Sequence, residues 1–439
     1  MTKKQHCRPG LGRRHRFPTL GAMLAAGLLC LFPEAVLASG YRITNQSLAA
    51  VGIAGAHVAS TPGPDASYYN PANMGWLADQ WQTETSLTFL GLPSVEYRDN
   101  RSPLLDGSSE SELFLMPLVH AVSPRYGDLR FGFSLTYPFG LAKEWQQPFP
   151  RASAEQFSLF LVEANPTIAW ALTDRVSLGG GVRLLYGKGE VESAVTNPPF
   201  GQLTPLTSLD RSADGTDTQW GYNLALTVRP ADRLSLAATY RSENELDLEG
   251  TSHLRAWAGN LPLSAWDGDG SVALTLPAVF SLAAAYTVDR LTVELGWDRT
   301  FWSSFAELDF QYDQNLQGTV FDGFDRAIVK NWDDTDAYRI GLSYDWDGRW
   351  TTTLGFAYDQ TPVPAATLGF EVPDADAHVY CTGLRYRTSE TWEIGLSYMY
   401  HRTRSRSVVN GGAAGLPGLD GTFTEGGAHA ITVGVIARF

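Results

Sequence analysis

The sequence predicts an all-β fold, a fourteen-stranded antiparallel transmembrane β-barrel with short N-terminal helices plugging its lumen. Three observations carry that prediction. Aromatic residues make up 12% of the 439 residues, charged residues only 18%, and glycines number 43. Two-residue alternation of apolar and small or polar side chains recurs along the chain. Short polar turns alternate with long loops, as in outer-membrane barrels. Abundant aromatic and β-branched residues exclude disorder, and 44% hydrophobic residues are too few for a bundle of membrane-spanning helices. A net charge of −14 supplies no basic surface for phosphates, so no nucleic-acid partner is expected.

Residues 1–38 read as a signal peptide. Lys3, Lys4, Arg8, Arg13, Arg14 and Arg16 precede an apolar stretch from Leu20 to Phe32, and Val36-Leu37-Ala38 offers a cleavage site. The apolar core is too short for a spanning helix. Cleavage after Ala38 leaves 27 basic against 46 acidic residues, a net charge of −19, with Cys381 as the single cysteine. An intrachain disulfide and a cysteine-based metal site are thereby excluded. The expected destination is the bacterial outer membrane.

Residues 39–80 are rich in Ala, Gly, Ser and Pro and show no two-residue period. Ser47–Ala59 reads as a short helix of small residues. Low charge and Tyr68-Tyr69 favour packing inside the lumen over a disordered leader, which makes this segment a hatch and argues against a simple water-filled porin.

Residues 81–439 read as the barrel. Ile431, Val433 and Val435 alternate with Thr432 and Gly434; Trp392, Ile394, Leu396 and Tyr398 alternate with Glu393, Gly395 and Ser397. Aromatics such as Tyr186, Tyr240, Tyr286, Trp297, Tyr344, Trp350, Tyr358 and Tyr400 fall at strand ends, where interfacial girdles belong. Tight turns are expected at Pro124–Gly127, Thr173–Arg175, Pro230–Arg233, Val288–Arg290, Asp345–Gly348 and Thr388–Thr391. Longer loops are expected over 98–110, 138–153, 190–216, 245–270, 311–333, 361–376 and 403–424. Six turns and seven loops join fourteen strands. Gly270–Val288 is uncharged over a helix-spanning length, but Pro277 and its two-residue period make it a strand.

Catalytic motifs are missing: the chain contains neither H-E-x-x-H nor G-x-S-x-G. No enzyme activity, cofactor or metal is expected. Asp374-Ala375-Asp376 and Asp333-Asp334-Thr335-Asp336 read as solvated acidic loops rather than Ca²⁺ sites. Ser397 and His401, on one strand face, are the single pair compatible with a barrel-embedded lipid hydrolase.

Several stretches, in collinear order, carry a resemblance: Asn70-Pro71-Ala72, Tyr137-Pro138-Phe139-Gly140-Leu141-Ala142-Lys143-Glu144-Trp145, Trp220-Gly221-Tyr222-Asn223, Asp336-Ala337-Tyr338-Arg339-Ile340 and Tyr358-Asp359-Gln360-Thr361-Pro362. The chain resembles the FadL family of outer-membrane transporters for long-chain fatty acids and other hydrophobes. The second stretch is similar to that family's (P/N)-(F/Y)-G-L-A-T-E-(F/W). The resemblance implies passive uptake through an apolar pocket, with lateral exit where the third strand is interrupted. It places the hatch anchor at Asn70, Pro71 and Ala72, and the lateral opening at Tyr137, Pro138, Phe139 and Gly140. Pro138 removes a ladder donor and Gly140 tolerates unusual backbone angles. Fatty-acid-binding members carry an Arg where this chain has Ser193, between Glu190 and Glu192. Arg326 and Lys330 remain as possible carboxylate-binding cations, so fatty acids and neutral hydrocarbons stand level as substrates. Outer-membrane lipid and lipopolysaccharide are the expected surroundings, and the chain is expected to be monomeric. A structural or adhesive barrel with partner-binding loops is the alternative function.

Overall fold

The computed structural model describes residues 40–196, 206–412, 418–424 and 426–439. The signal peptide expected over 1–38 lies outside them. Fourteen strands close one barrel. They are β1 (Gln82–Leu92), β2 (Glu112–Val122), β3 (Leu129–Thr136 and Gly140–Glu144), β4 (Gln156–Ala171), β5 (Val176–Thr196), β6 (Ser208–Ala231) and β7 (Leu234–Arg241 and Asn244–Ala258). The second half comprises β8 (Leu261–Leu276 and Val279–Val288), β9 (Leu291–Thr300), β10 (Thr335–Asp345), β11 (Trp350–Asp359), β12 (Ala377–Arg387), β13 (Trp392–Thr403) and β14 (Gly427–Arg438). Neighbours pair antiparallel, and β1 closes on β14 from Gln82–Arg438 to Gly91–His429.

The alternation is inside-out. Leu282, Leu295, Leu354, Leu396 and Val433 are exposed, while Glu163, Arg183, Glu294 and Arg339 are buried. A sheet in water would bury the first set and expose the second. Facing lipid, the apolar side is the stable outer surface. Tyr286, Tyr344, Trp350 and Trp392 are exposed near the strand ends, where amphipathic rings suit the membrane interface, whereas Tyr186, expected at a strand end, lies at the middle of the long β5.

All six tight turns fall between strands as expected. The long-loop end differs. Much of 190–216 and 245–270 is strand: β5 and β6 run 21 and 24 residues, and β7 and β8 turn directly at Gly259-Asn260. Leu246, Leu248, Leu254 and Ala256 point inward, whereas Glu245, Asp247 and Glu249 point to solvent. The period was present, but charge on the outer face disguised a strand projecting beyond the lipid as a loop. Over 270–288 the chain forms two strand pieces interrupted at Pro277-Ala278. No helix among the described residues is long and apolar enough to cross a membrane.

Residues 40–77 are enclosed by the wall and almost wholly buried. Helix α1 (Leu48–Gly52) packs on β12, β13 and β14, α2 (Ala66–Tyr69) on β3, and a 3₁₀ turn (Pro71–Trp76) on β4 and β5. Helix α1 occupies the start of the predicted Ser47–Ala59 helix; the remainder is irregular.

Inward side chains divide the lumen in two. Along β4, Leu159 and Leu161 give way to Glu163, Asn165 and Thr167 toward the short-turn end, and along β5 Leu185 gives way to Arg183. The polar half holds the N-terminal segment. The apolar half is left for the candidate site.

Candidate functional site

At the long-loop end, Leu159, Leu161, Leu185, Leu246, Leu248, Leu274 and Leu276 join Tyr41, Trp302, Phe305 and Trp332 in one buried cluster. Glycines in the wall admit this mass. A Cβ on Gly187 or Gly189 would meet Cδ1 of Leu246 or Leu248 at 2.7 and 2.8 Å. Above the cluster lies a cavity of about 360 Å³, within the usual range for small-molecule pockets. Phe157, Phe310, Phe324 and Leu368 line it together with Ser193, Arg211, Arg326, Lys330 and Glu371.

The cations differ in what they offer a ligand. Lys330 is buried and its Nζ pairs with the Glu371 carboxylate, itself 14% exposed. Arg326 lies at the rim, 58% exposed and paired with Asp322. Arg211 was not among the residues expected from sequence. It is 6% exposed, with its guanidinium 4.2 Å from the Phe310 ring centre and 5.3 Å from that of Phe324. Its Nε has no hydrogen-bond partner among the described residues. Stacked on two rings yet free of a carboxylate among the described residues, it is the pocket cation best placed to receive an anion.

A smaller cavity of about 20 Å³ continues below the first, sharing Phe157, Leu308, Lys330 and Glu371 with it. Tyr41 and Trp332 form its floor, with ring centres 5.7 Å apart. Gly40 must be glycine here: its φ is +63°, and a Cβ would lie 2.7 Å from Trp332.

The stretch Tyr137–Phe139 separates the two pieces of β3. The β2–β3 ladder covers only Val119–Leu135 to Val122–Gly132. Beyond it, Leu113 and Leu115 of β2 are exposed, and the N-terminal segment supplies the missing backbone partners. Ile43 N–H donates to Pro138 O at 2.8 Å and Gly140 N–H to Tyr41 O at 2.9 Å. The Gln46 amide brackets Tyr137, accepting from its N–H at 2.7 Å and donating to its carbonyl at 2.8 Å. Tyr137, Pro138, Phe139 and Gly140 therefore meet the start of the described chain.

Asn70 is fully buried. Its Nδ2 donates to Val58 O at 2.7 Å and Thr227 Oγ1 at 2.8 Å, and its Oδ1 accepts from Ala72 N–H at 3.0 Å. Pro71 and Ala72 rest on bare backbone: a Cβ on Gly179 would stand 2.4 Å from Ala72 N. Wall carboxylates complete the attachment. Glu294 accepts from Val58, Ala59 and Ser60 N–H at 2.6, 2.7 and 2.9 Å, and Glu84 from Leu48 N–H at 2.8 Å. Within the segment, His57 Nε2 lies 2.9 Å from Asp65. Burial alone would lower the His57 pKa, but the Asp65 carboxylate outweighs it and raises the pKa above its ordinary value.

The hydrolase alternative finds no pair, and the reading of the acidic loops needs correction. Ser397 and His401 are buried on the lumen face, and Ser397 donates to Leu48 O at 2.7 Å. Four residues along a strand put them roughly 13 Å apart, so they form no catalytic pair. The acidic loops are not simply solvated. Asp374 accepts from Gly40 N–H and Thr361, Asp376 from Tyr358 and Thr361, and Asp334 and Asp336 pair with Arg299.

The family model described as "Outer membrane protein transport protein (OMPP1/FadL/TodX)" matches residues 29–439. The chain belongs to this family. One relative, the long-chain fatty acid transport protein of Escherichia coli K12, is 27% identical over 322 residues, covering 65% of this chain and 70% of its own. Outer membrane protein P1 of Haemophilus influenzae Rd is 24% identical over 319 residues, covering 65% of each. Among solved structures, a Pseudomonas aeruginosa FadL homologue superposes with a TM-score of 0.79 at 20% identity, covering 91% of this chain and 100% of that one. The P. putida toluene transporter TodX superposes at 0.71 with 18% identity, covering 90% and 99%. At these identities the structures speak for the shared fold. Family membership and the lipid-facing wall place the protein in the outer membrane.

Proposed function

We propose that this protein takes up hydrophobic small molecules passively, binding them in the apolar cavity and releasing them sideways between β2 and β3. Long-chain carboxylates are the favoured substrates. The single observation that carries this reading is the cavity itself, a greasy chamber at the long-loop end holding a buried guanidinium that has no counter-ion among the described residues. Each buried methylene contributes about 0.8 kcal/mol, and Arg211 supplies a charge-assisted contact for a head group. Curated relatives named as long-chain fatty acid transport proteins support the same substrate class.

Residues 39–80 act as a hatch in this scheme, anchored by Asn70, Pro71 and Ala72. Passive release requires the pocket to weaken when the hatch moves. The hydrogen bonds joining Tyr41, Ile43 and Gln46 to Tyr137–Gly140 give that movement a direct route to the interrupted strand.

A second reading, neutral aromatic hydrocarbons, is favoured by the Lys330–Glu371 pair, which cancels the other buried cation of the cavity. The structural neighbours named as toluene transporters support it. Uptake of radiolabelled oleate and toluene in a strain lacking its own transporters discriminates. Oleate entry well above the empty strain is expected. If neither compound enters faster than in the empty strain, the transport reading fails.

A further inference from the structure

A third cavity, of about 20 Å³, continues the path and has a buried ammonium in its wall. It shares Leu141 and Val372 with the cavity floored by Tyr41, which in turn shares Lys330 and Glu371 with the main chamber. One side is Leu92 of β1, whose register partner on β2 is Glu112; the other is Leu141–Lys143 of β3. No β2–β3 ladder separates these sides, because that ladder ends at Val119–Leu135. The third cavity therefore stands at the seam through which lateral release is proposed.

Lys143 is 3% exposed and its Nζ has no hydrogen-bond partner among the described residues. Burying an ammonium costs several kcal/mol unless it is paired and hydrogen-bonded. Of the acids around it, Glu112 acts on it through its charge alone, and Glu112 Oε1 and Asp374 Oδ1 are themselves buried without hydrogen-bond partners among the described residues. Gly40 and Asp374, joined by a hydrogen bond of 3.1 Å, close the same cavity. At about 20 Å³ it has room for one water molecule rather than a head group, so occupancy requires Gly40 and its neighbours to withdraw.

We propose that Lys143 is a second head-group station, receiving the carboxylate of an amphiphile after it leaves Arg211 and before it passes between β2 and β3. The inference rests on the transport reading. It adds a residue that acts on passage of anions rather than on their capture.

The test compares wild type, K143T and K143R in the transporter-deficient strain, using oleate and the uncharged oleyl alcohol. K143T is expected to slow oleate uptake about tenfold, to leave oleyl alcohol unchanged, and to leave oleate affinity of the purified protein within about twofold. K143R should retain oleate uptake. Unchanged oleate uptake in folded K143T, or equal loss for both compounds, overturns the proposal. Failure of wild type with both compounds overturns the transport reading instead. Should K143T not assemble, wild-type protein photolabelled with a fatty acid carrying a diazirine beside its carboxylate decides. Label within 141–143 or 112–115 supports the station; label confined to the main cavity overturns it.

Discussion

Arg211 of β6 stands directly across the ladder from Ser193 of β5, both side chains buried at the same cavity. The resemblance implies a guanidinium at the position of Ser193; Arg211 brings one to the same cavity from the next strand. Charge-assisted hydrogen bonds contribute about 1.5–3 kcal/mol. Arg211→Met, which keeps packing on Phe310 and Phe324, should weaken oleate binding roughly tenfold or more and leave toluene binding unchanged. Equilibrium binding to purified protein measures both. Equal losses would show that Arg211 serves packing alone.

Glu371 competes for Lys330 within the same chamber. Glu371→Gln frees the ammonium and should strengthen oleate binding by about two- to tenfold. Unchanged or weaker binding would mean that Lys330 does not reach the ligand.

Barrel and strand count were legible in the sequence because two-residue alternation survives in most membrane-spanning strand segments and most tight turns use Pro, Asp or Gly. Arg211 was not. It belongs to a strand extension whose outward residues Asp210 and Asp214 imitate a loop, and only the register with β5 reveals that Arg211 and Ser193 face one cavity. Lys330 and Arg326 were found as cations, but their acidic partners Glu371 and Asp322 are contacts of folded loops. Asn70-Pro71-Ala72 could be located from the motif, while their support on Gly179 required the packed structure.

Asn70→Ala removes donors to Val58 and Thr227 and the acceptor for Ala72. Leaving buried groups unsatisfied costs about 1–3 kcal/mol each. Gly179→Ala places a methyl against Ala72 N and Pro71. Both variants should loosen residues 58–76, seen as faster amide hydrogen exchange there, with the strand amides of β10–β13 unaffected. Exchange identical to wild type would show that the segment is held elsewhere.

The His57–Asp65 pair makes the N-terminal segment sensitive to pH. His57 has its folded pKa raised and Asp65 has its lowered. The histidine contribution is complete below its unfolded pKa, about 6.5, and is lost as pH rises through the higher folded value. The aspartate contribution is lost only in strong acid. The exchange difference between wild type and His57→Gln over residues 54–66 should therefore be largest near pH 6 and shrink as the pH rises above it. A difference that stays constant as the pH rises would mean a neutral imidazole.

The most direct test of lateral release is to delete Tyr137, Pro138 and Phe139, so that β3 runs unbroken and the ladder with β2 extends along the seam. Oleate uptake by cells and oleate binding by purified protein are measured together. Uptake should fall to the level of the empty strain while binding at the main cavity persists. Undiminished uptake through the sealed wall would contradict lateral release between β2 and β3.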